Sequence, residues 1–148
     1  MFHREQVEIE AEAAAVWAVL TEVQHWHTWT PTIELIRRRD PDRPFGTGSQ
    51  AWIKQPRLRG ALWEVTAFEP GRSFTWQTRA PGVHTVAGHR LQPTPTGTRV
   101  TLELRLTGPL APLGRLLHGR LIRRYLALEA LGLKTECEQP GPGPATHP

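Results

Sequence analysis

Cysteine is nearly missing from this chain: Cys137 stands alone among 148 residues. One cysteine closes no disulfide within the chain and builds no Cys-based metal site, so the fold must be held by its apolar core. Lysine is almost as scarce. Lys54 and Lys134 are the only two, and arginine carries nearly all the positive charge. No apolar run approaches the roughly 20 residues of a membrane-spanning helix, and Met1-Phe2-His3-Arg4-Glu5 lacks a signal peptide's apolar core. No stable membrane insertion is expected, and the expected location is the cytoplasm.

Several chemical motifs are absent too. There is no phosphate-cradling glycine loop and no serine nucleophile elbow. His25 and His27 sit at i and i+2, which on a helix diverge by about 200° and cannot clasp one ion. No cofactor and no metal are therefore expected. The net charge is +4, but acidic residues are interleaved and no basic run exceeds Arg37-Arg38-Arg39. A nucleic-acid platform would interleave aromatics with its basic side chains. Here Arg115, Arg120 and Arg123 read as the solvated side of a helix, and no nucleic-acid partner is expected.

What remains is a well-punctuated pattern. At 39% apolar and 22% charged, the composition is that of an ordinary globular protein whose length suits one domain. Val7 to Glu10 alternates as a half-buried strand does. From Ala11 to Val23 the period turns helical, with Val16, Val19, Leu20 and Val23 on one face. His25 to Trp29 predicts a short helix ended by Thr30-Pro31, since proline disfavours α geometry in the residue before it.

Strands follow at Ile33–Arg38, Gln50–Gln55, Leu62–Phe68, Ser73–Arg79, Val83–Gln92 and Thr98–Thr107, separated by Pro/Gly/Asp turns. Short turns between consecutive strands mean antiparallel hairpins. From Pro109 or Pro112 the period is helical again, and Leu117, Leu121, Tyr125, Leu128 and Gly132 form one stripe. A second apolar line runs through Ile122, Leu126 and Leu133. If exposed, Ile122 and Leu126 would offer a homodimer contact. The expected fold is α+β: a helix-grip domain over residues 1–138, with a seven-stranded curved antiparallel sheet around a long C-terminal helix and two short helices after the first strand. Residues 139–148 are Pro/Gly-rich, with no apolar anchor, and are expected to be disordered. The space between sheet and helix is a natural cavity.

In this order the segments Val16-Trp17-Ala18-Val19-Leu20, Trp26-His27-Thr28-Trp29-Thr30-Pro31, Trp63-Glu64-Val65-Thr66, Glu69-Pro70-Gly71 and Phe74-Thr75-Trp76 carry a family likeness. Gly97 to Leu102 and Glu129 to Lys134 complete it. The chain resembles the START-like, birch-pollen-allergen-like helix-grip superfamily, and within it the bacterial polyketide cyclase/dehydrase and lipid-transport family, over about residues 5 to 138. That resemblance implies a cavity, but its members range from lipid carriers to aromatases, so fold constrains task only loosely.

The two-residue strand period places Trp63, Val65 and Ala67 on one face, and Phe74, Trp76 and Thr78 together on the next strand. Trp63 and Trp76 are thus expected to line the cavity, with Thr85 and His89 from the following strand, and Gln55 near one end. Leu117, Leu121 and Tyr125 should close it from the helix. In the resembled fold Trp26 and Trp29 sit near one cavity mouth, as a gate or a fixed lid. An inward His89 is either a hydrogen-bonded core residue or a ligand contact with its charge near neutral pH. Glu129 flanks the inner stripe and reads as one half of a structural arginine pair.

The expected partner is a small apolar ligand, lipid-like, aromatic or polyketide-like. Two alternatives stay open. One is a polyketide cyclase, aromatase or dehydratase that orients a flexible chain, with His89 and Tyr125 as the first acid/base candidates. The other is a protein-interaction module without a ligand.

Overall fold

The computed structural model describes residues 2–139. They form seven strands and two α-helices: β1 (Phe2–Ile9), α1 (Ala13–Thr21), a 3₁₀ turn (Val23–Thr28), β2 (Leu35–Arg38), β3 (Gln50–Lys54), β4 (Ala61–Glu69), β5 (Ser73–Ala80), β6 (Val83–Thr94), β7 (Gly97–Thr107) and α2 (Ala111–Glu138). All seven strands pair antiparallel in one sheet of order β1-β7-β6-β5-β4-β3-β2. The α+β helix-grip expected from the sequence is thus what the chain adopts, and residues 140–148 of the expected tail lie outside the described residues.

Consecutive hairpins build β2 through β7, while β1 returns along the far side of β7. The chain between β1 and β2 must therefore cross from one edge of the sheet to the other. The alanine-rich α1 and the 3₁₀ turn make that crossing, burying Val16, Leu20, Val23 and Trp26 against the sheet.

Helix α2 is 28 residues long, hence about 42 Å. Its C-terminal half seats Leu126, Ala130 and Leu133 in the core. There Gly132 allows a close crossing: a Cβ at this position would press on the carbonyl oxygen of Trp29. The N-terminal end is tied differently. Pro81-Gly82 turns the β5–β6 hairpin, with Gly82 at φ 79°, and the Gly82 carbonyl accepts the Leu110 N–H at 2.9 Å.

Two expectations about phase need correction. Ala67 is exposed rather than inward, because the β4–β5 register shifts between Val65 and Ala67. A bulge there flips every later side chain, so Phe68 instead packs against Trp17 with ring centroids 5.5 Å apart. On α2, Leu117 is 64% exposed and Leu121 half-buried, whereas Leu126 and Leu133 are buried. Leucines occur on nearly every face of this helix, so of the first line only Tyr125 and Gly132 pack inward, while the second line supplies Leu126 and Leu133. Leu126 is buried and Ile122 half-buried, and both line the cavity.

Candidate functional site: a hollow between sheet and helix

The interior is hollow. A cavity of about 320 Å³ lies between the concave face of the sheet and α2, at the lower end of the roughly 300–1,000 Å³ typical of small-molecule pockets. Strand register orders its walls from one end to the other. Across β5 and β6 the inward pairs are Ala80 with Val83, Thr78 with Thr85, Trp76 with Ala87, and Phe74 with His89. Leu106, Leu104 and Leu102 of β7 stand opposite Thr85, Ala87 and His89 in the same sequence.

Exposure tells the two ends apart. At the β5–β6 hairpin Ala80 is exposed, as is Arg59 in the β3–β4 loop, and this is the mouth. At the other end Trp26, His89 and Leu102 are all buried, and this is the floor. Beneath the floor Phe74, not itself in the wall, stacks on His89 with ring centroids 4.1 Å apart and planes inclined by 13°. Helix α2 runs the same way, with Gly114 and His118 near the mouth, Ile122 and Tyr125 further in, and Glu129 deeper still.

Each aromatic side chain has a distinct place. Trp76 and Trp63 line one wall, their rings 5.8 Å apart. Trp26 reaches the floor, donates its indole N–H to the Leu20 carbonyl at 3.0 Å, and lies 5.6 Å from the His89 ring. Trp29 packs behind Trp26 at 5.8 Å and does not line the cavity. The Trp26–Trp29 pair therefore seals the inner end, away from the mouth where the resemblance had put it. Gln55 and Thr85 are both in the wall, while Leu117 and Leu121 are not.

Tyr125 also lines the cavity, but its hydroxyl donates to the carbonyl of Pro56 in the β3–β4 loop. That loop needs the anchor. Leu58 N–H bonds Gln55 C=O at 3.1 Å across Pro56-Arg57, with Arg57 at φ 66°. A β-branch-free but non-glycine residue in the left-handed region costs about 1 kcal/mol. With its proton engaged at the wall, Tyr125 holds the rim of the site rather than presenting an acid to it.

The two polar groups near the floor are His89 and Glu129. His89 Nδ1 lies 3.1 Å from the Phe74 carbonyl oxygen, which can only accept, so Nδ1 carries the proton. Nε2 is left as an unprotonated acceptor, the ring's one hydrogen bond among the described residues being that of Nδ1, in a ring that lines the cavity. Burial pulls His89 down to about 4, against the partial support of the Phe74 carbonyl, so the ring is neutral at pH 7.

Glu129 behaves in the opposite sense. Burial pushes its carboxyl up to about 7, and a hydrogen bond from Thr32 Oγ1 at 3.1 Å restrains the rise. Thr32 in turn shares a 3.0 Å bond with Thr30, and both threonines are fully buried. No arginine pairs with Glu129 among the described residues, which overturns the expectation of a structural ion pair. The threonines on either side of Pro31 were the missed signal: hydroxyls in a segment that packs under a helix need an acceptor, and Glu129 supplies it. At neutral pH the site thus holds a fixed acceptor in His89 and, in Glu129, a carboxyl whose titration burial has displaced toward neutrality. No group of three or more His, Cys, Asp or Glu side chains is placed to hold a metal ion among the described residues, and no helix is long and apolar enough to cross a membrane.

The family model for polyketide cyclase/dehydrase and lipid transport matches residues 3–138. The chain belongs to that family. Solved structures agree on the fold. A hypothetical protein from Helicobacter pylori superposes with a TM-score of 0.81 at 13% identity, over 93% of this chain and 88% of its own. The Zhui aromatase/cyclase from a Streptomyces species gives 0.76 at 16% identity, covering 93% of both chains. The protein TTHA0849 from Thermus thermophilus gives 0.74 at 16%, over 93% and 97%. At such identities the likeness speaks to fold. No curated protein matches the chain by sequence.

Proposed function

We propose that this family member binds a small, mainly apolar ligand whose single polar head lies near the floor, donating to His89 Nε2 and lying within reach of Glu129. The observation that carries the proposal is the His89 tautomer. A buried imidazole fixed as an acceptor toward a mainly apolar hollow has no partner for its second nitrogen among the described residues, and a ligand hydroxyl would supply one. Trp26, Trp63 and Trp76 offer flat apolar walls, which favours an aromatic or polyketide-like skeleton over a saturated chain. Native mass spectrometry of protein purified from its host, with a thermal-shift screen of phenols and of matched hydrocarbons, tests this. Retained ligand, or stabilisation by phenols above hydrocarbons, is expected. The absence of both retention and stabilisation would count against it.

A second reading is catalytic, a cyclisation or dehydration of a poly-β-keto chain held in one reactive bend. One observation favours it. Glu129, titrating near 7, and neutral His89 line the same cavity, as a general acid and base at neutral pH would. The structural likeness to an aromatase/cyclase points the same way. Under this reading Glu129 replaces Tyr125 beside His89 as the acid/base pair. Turnover of a poly-β-keto substrate that survives both Glu129→Gln and His89→Phe would sink it.

A further inference from the structure

The outer face of α2 carries an apolar cluster that nothing among the described residues covers. Leu113 and Leu116 are 49% and 81% exposed, Leu117 is 64%, and Leu110 just before the helix is 47%. Isolated exposed leucines are ordinary, but four within eight residues at one end of a helix are a patch. Next along the helix come Arg120, Arg123 and Arg124, all exposed. From Ala111 to Leu128 the helix has no carboxylate at all; its first acid is Glu129, which points inward.

The rest of that end of the molecule has the same sign. Arg57 and Arg59 in the β3–β4 loop and Arg79 at the end of β5 are exposed, and the nearby acid Glu34 is already paired with Lys54 at 3.4 Å. A second copy docked through this face would oppose arginine to arginine, so the charge calls for an anionic partner. The spacing narrows the choice. Seven residues separate Leu113 and Leu117 from Arg120 and Arg124, about 10 Å along the axis. With the N-terminal end of the helix directed at a bilayer, that separation puts the leucines below the level at which the arginines meet the headgroups. A nucleic acid would use the arginines and leave the leucines in water.

We propose that this end of the protein docks peripherally on an anionic lipid bilayer, leucines inserted and arginines at the headgroups. The cavity mouth lies at the same end, with Gly114 and His118 in its wall and the Gly82–Leu110 hydrogen bond at its rim. An apolar ligand could then pass between bilayer and cavity without crossing water. The docking stands whatever the cavity holds.

Co-sedimentation of the full chain with vesicles of phosphatidylcholine, alone or mixed with phosphatidylglycerol, tests it. Binding is expected to the mixed vesicles only and to weaken with added salt. The Leu116→Ser/Leu117→Ser double variant should keep its unfolding temperature, both side chains being exposed, and bind about tenfold or more weakly. Failure to sediment, binding that the leucine variant leaves intact, or firmer retention on duplex DNA than on vesicles overturns the proposal.

Discussion

Thr32 Oγ1 donates to the Glu129 carboxyl at 3.1 Å, joining the segment before β2 to α2 close to the cavity floor. That bond keeps a carboxyl in the interior without an ion pair, and it leaves the carboxyl free to titrate in the neutral range. The floor therefore combines two groups whose ionisation is displaced in opposite directions. His89 sits at about 4 and Glu129 at about 7.

Their contributions to stability have opposite slopes with pH. His89 is held below its usual 6.5, so the unfolded chain binds its proton first and stability is lost as pH falls from about 6.5 to 4. Glu129 is held above its usual 4.5, so the unfolded chain releases its proton first and stability is lost as pH rises from about 4.5 to 7. Each effect amounts to at most about 3 kcal/mol, and the two windows overlap. In the wild type they largely cancel. Relative to it, Glu129→Gln should gain stability as pH rises through that window, and His89→Gln should lose it. Urea unfolding at pH 5 and 7.5 measures both differences. Equal pH dependence in all three proteins would contradict the placement of these groups.

Tyr125→Phe removes the bond to the Pro56 carbonyl but leaves the ring in the wall. The expected loss is about 1 kcal/mol, that of one hydrogen bond. Because the Arg57 turn is then released, amide exchange at Arg57, Leu58 and Arg59 should accelerate well beyond the global change. Exchange that stays uniform across the chain would show that the hydroxyl does not anchor the loop.

Gly132→Ala separates two opposed effects. Alanine favours a helix interior by about 1 kcal/mol over glycine. Here its Cβ would press on the Trp29 carbonyl oxygen and lie 3.2 Å from Trp29 Cε3, and backbone cannot step aside cheaply. Overpacking of this kind costs about 1–3 kcal/mol, so net destabilisation is expected from the denaturation midpoint. A stabilised variant would mean that α2 crosses the Trp29 segment less closely.

The hairpins were readable because each turn carries its own chemistry and each strand its own alternation; Val100 to Leu106 faces inward as its period requires. The aromatic wall followed from the same two-residue step, through Trp63 and Trp76. Phase failed where something local intervened. The bulge after Val65 turned Ala67 outward, and the leucine-rich surface of α2 hid which line faces the sheet. Glu129 was read as half of an arginine pair because its actual partner, Thr32, is 97 residues away and only the fold brings them together. The role of Tyr125 depends on a loop carbonyl, which no side-chain pattern encodes.

The central claim is a cavity that takes an aromatic ligand with a hydroxyl near His89. The most direct measurement is a tryptophan-fluorescence titration with 2-naphthol and with naphthalene, on the wild type and on Ala87→Phe. Ala87 lines the cavity beside Trp76, so phenylalanine there would occupy the ligand's space. Saturable quenching is expected in the wild type, with 2-naphthol about two- to tenfold tighter than naphthalene from one added hydrogen bond. Ala87→Phe should fold and show no saturation with either compound. Naphthol binding that survives Ala87→Phe unchanged, or no saturable binding of either compound to the wild type, would contradict the claim.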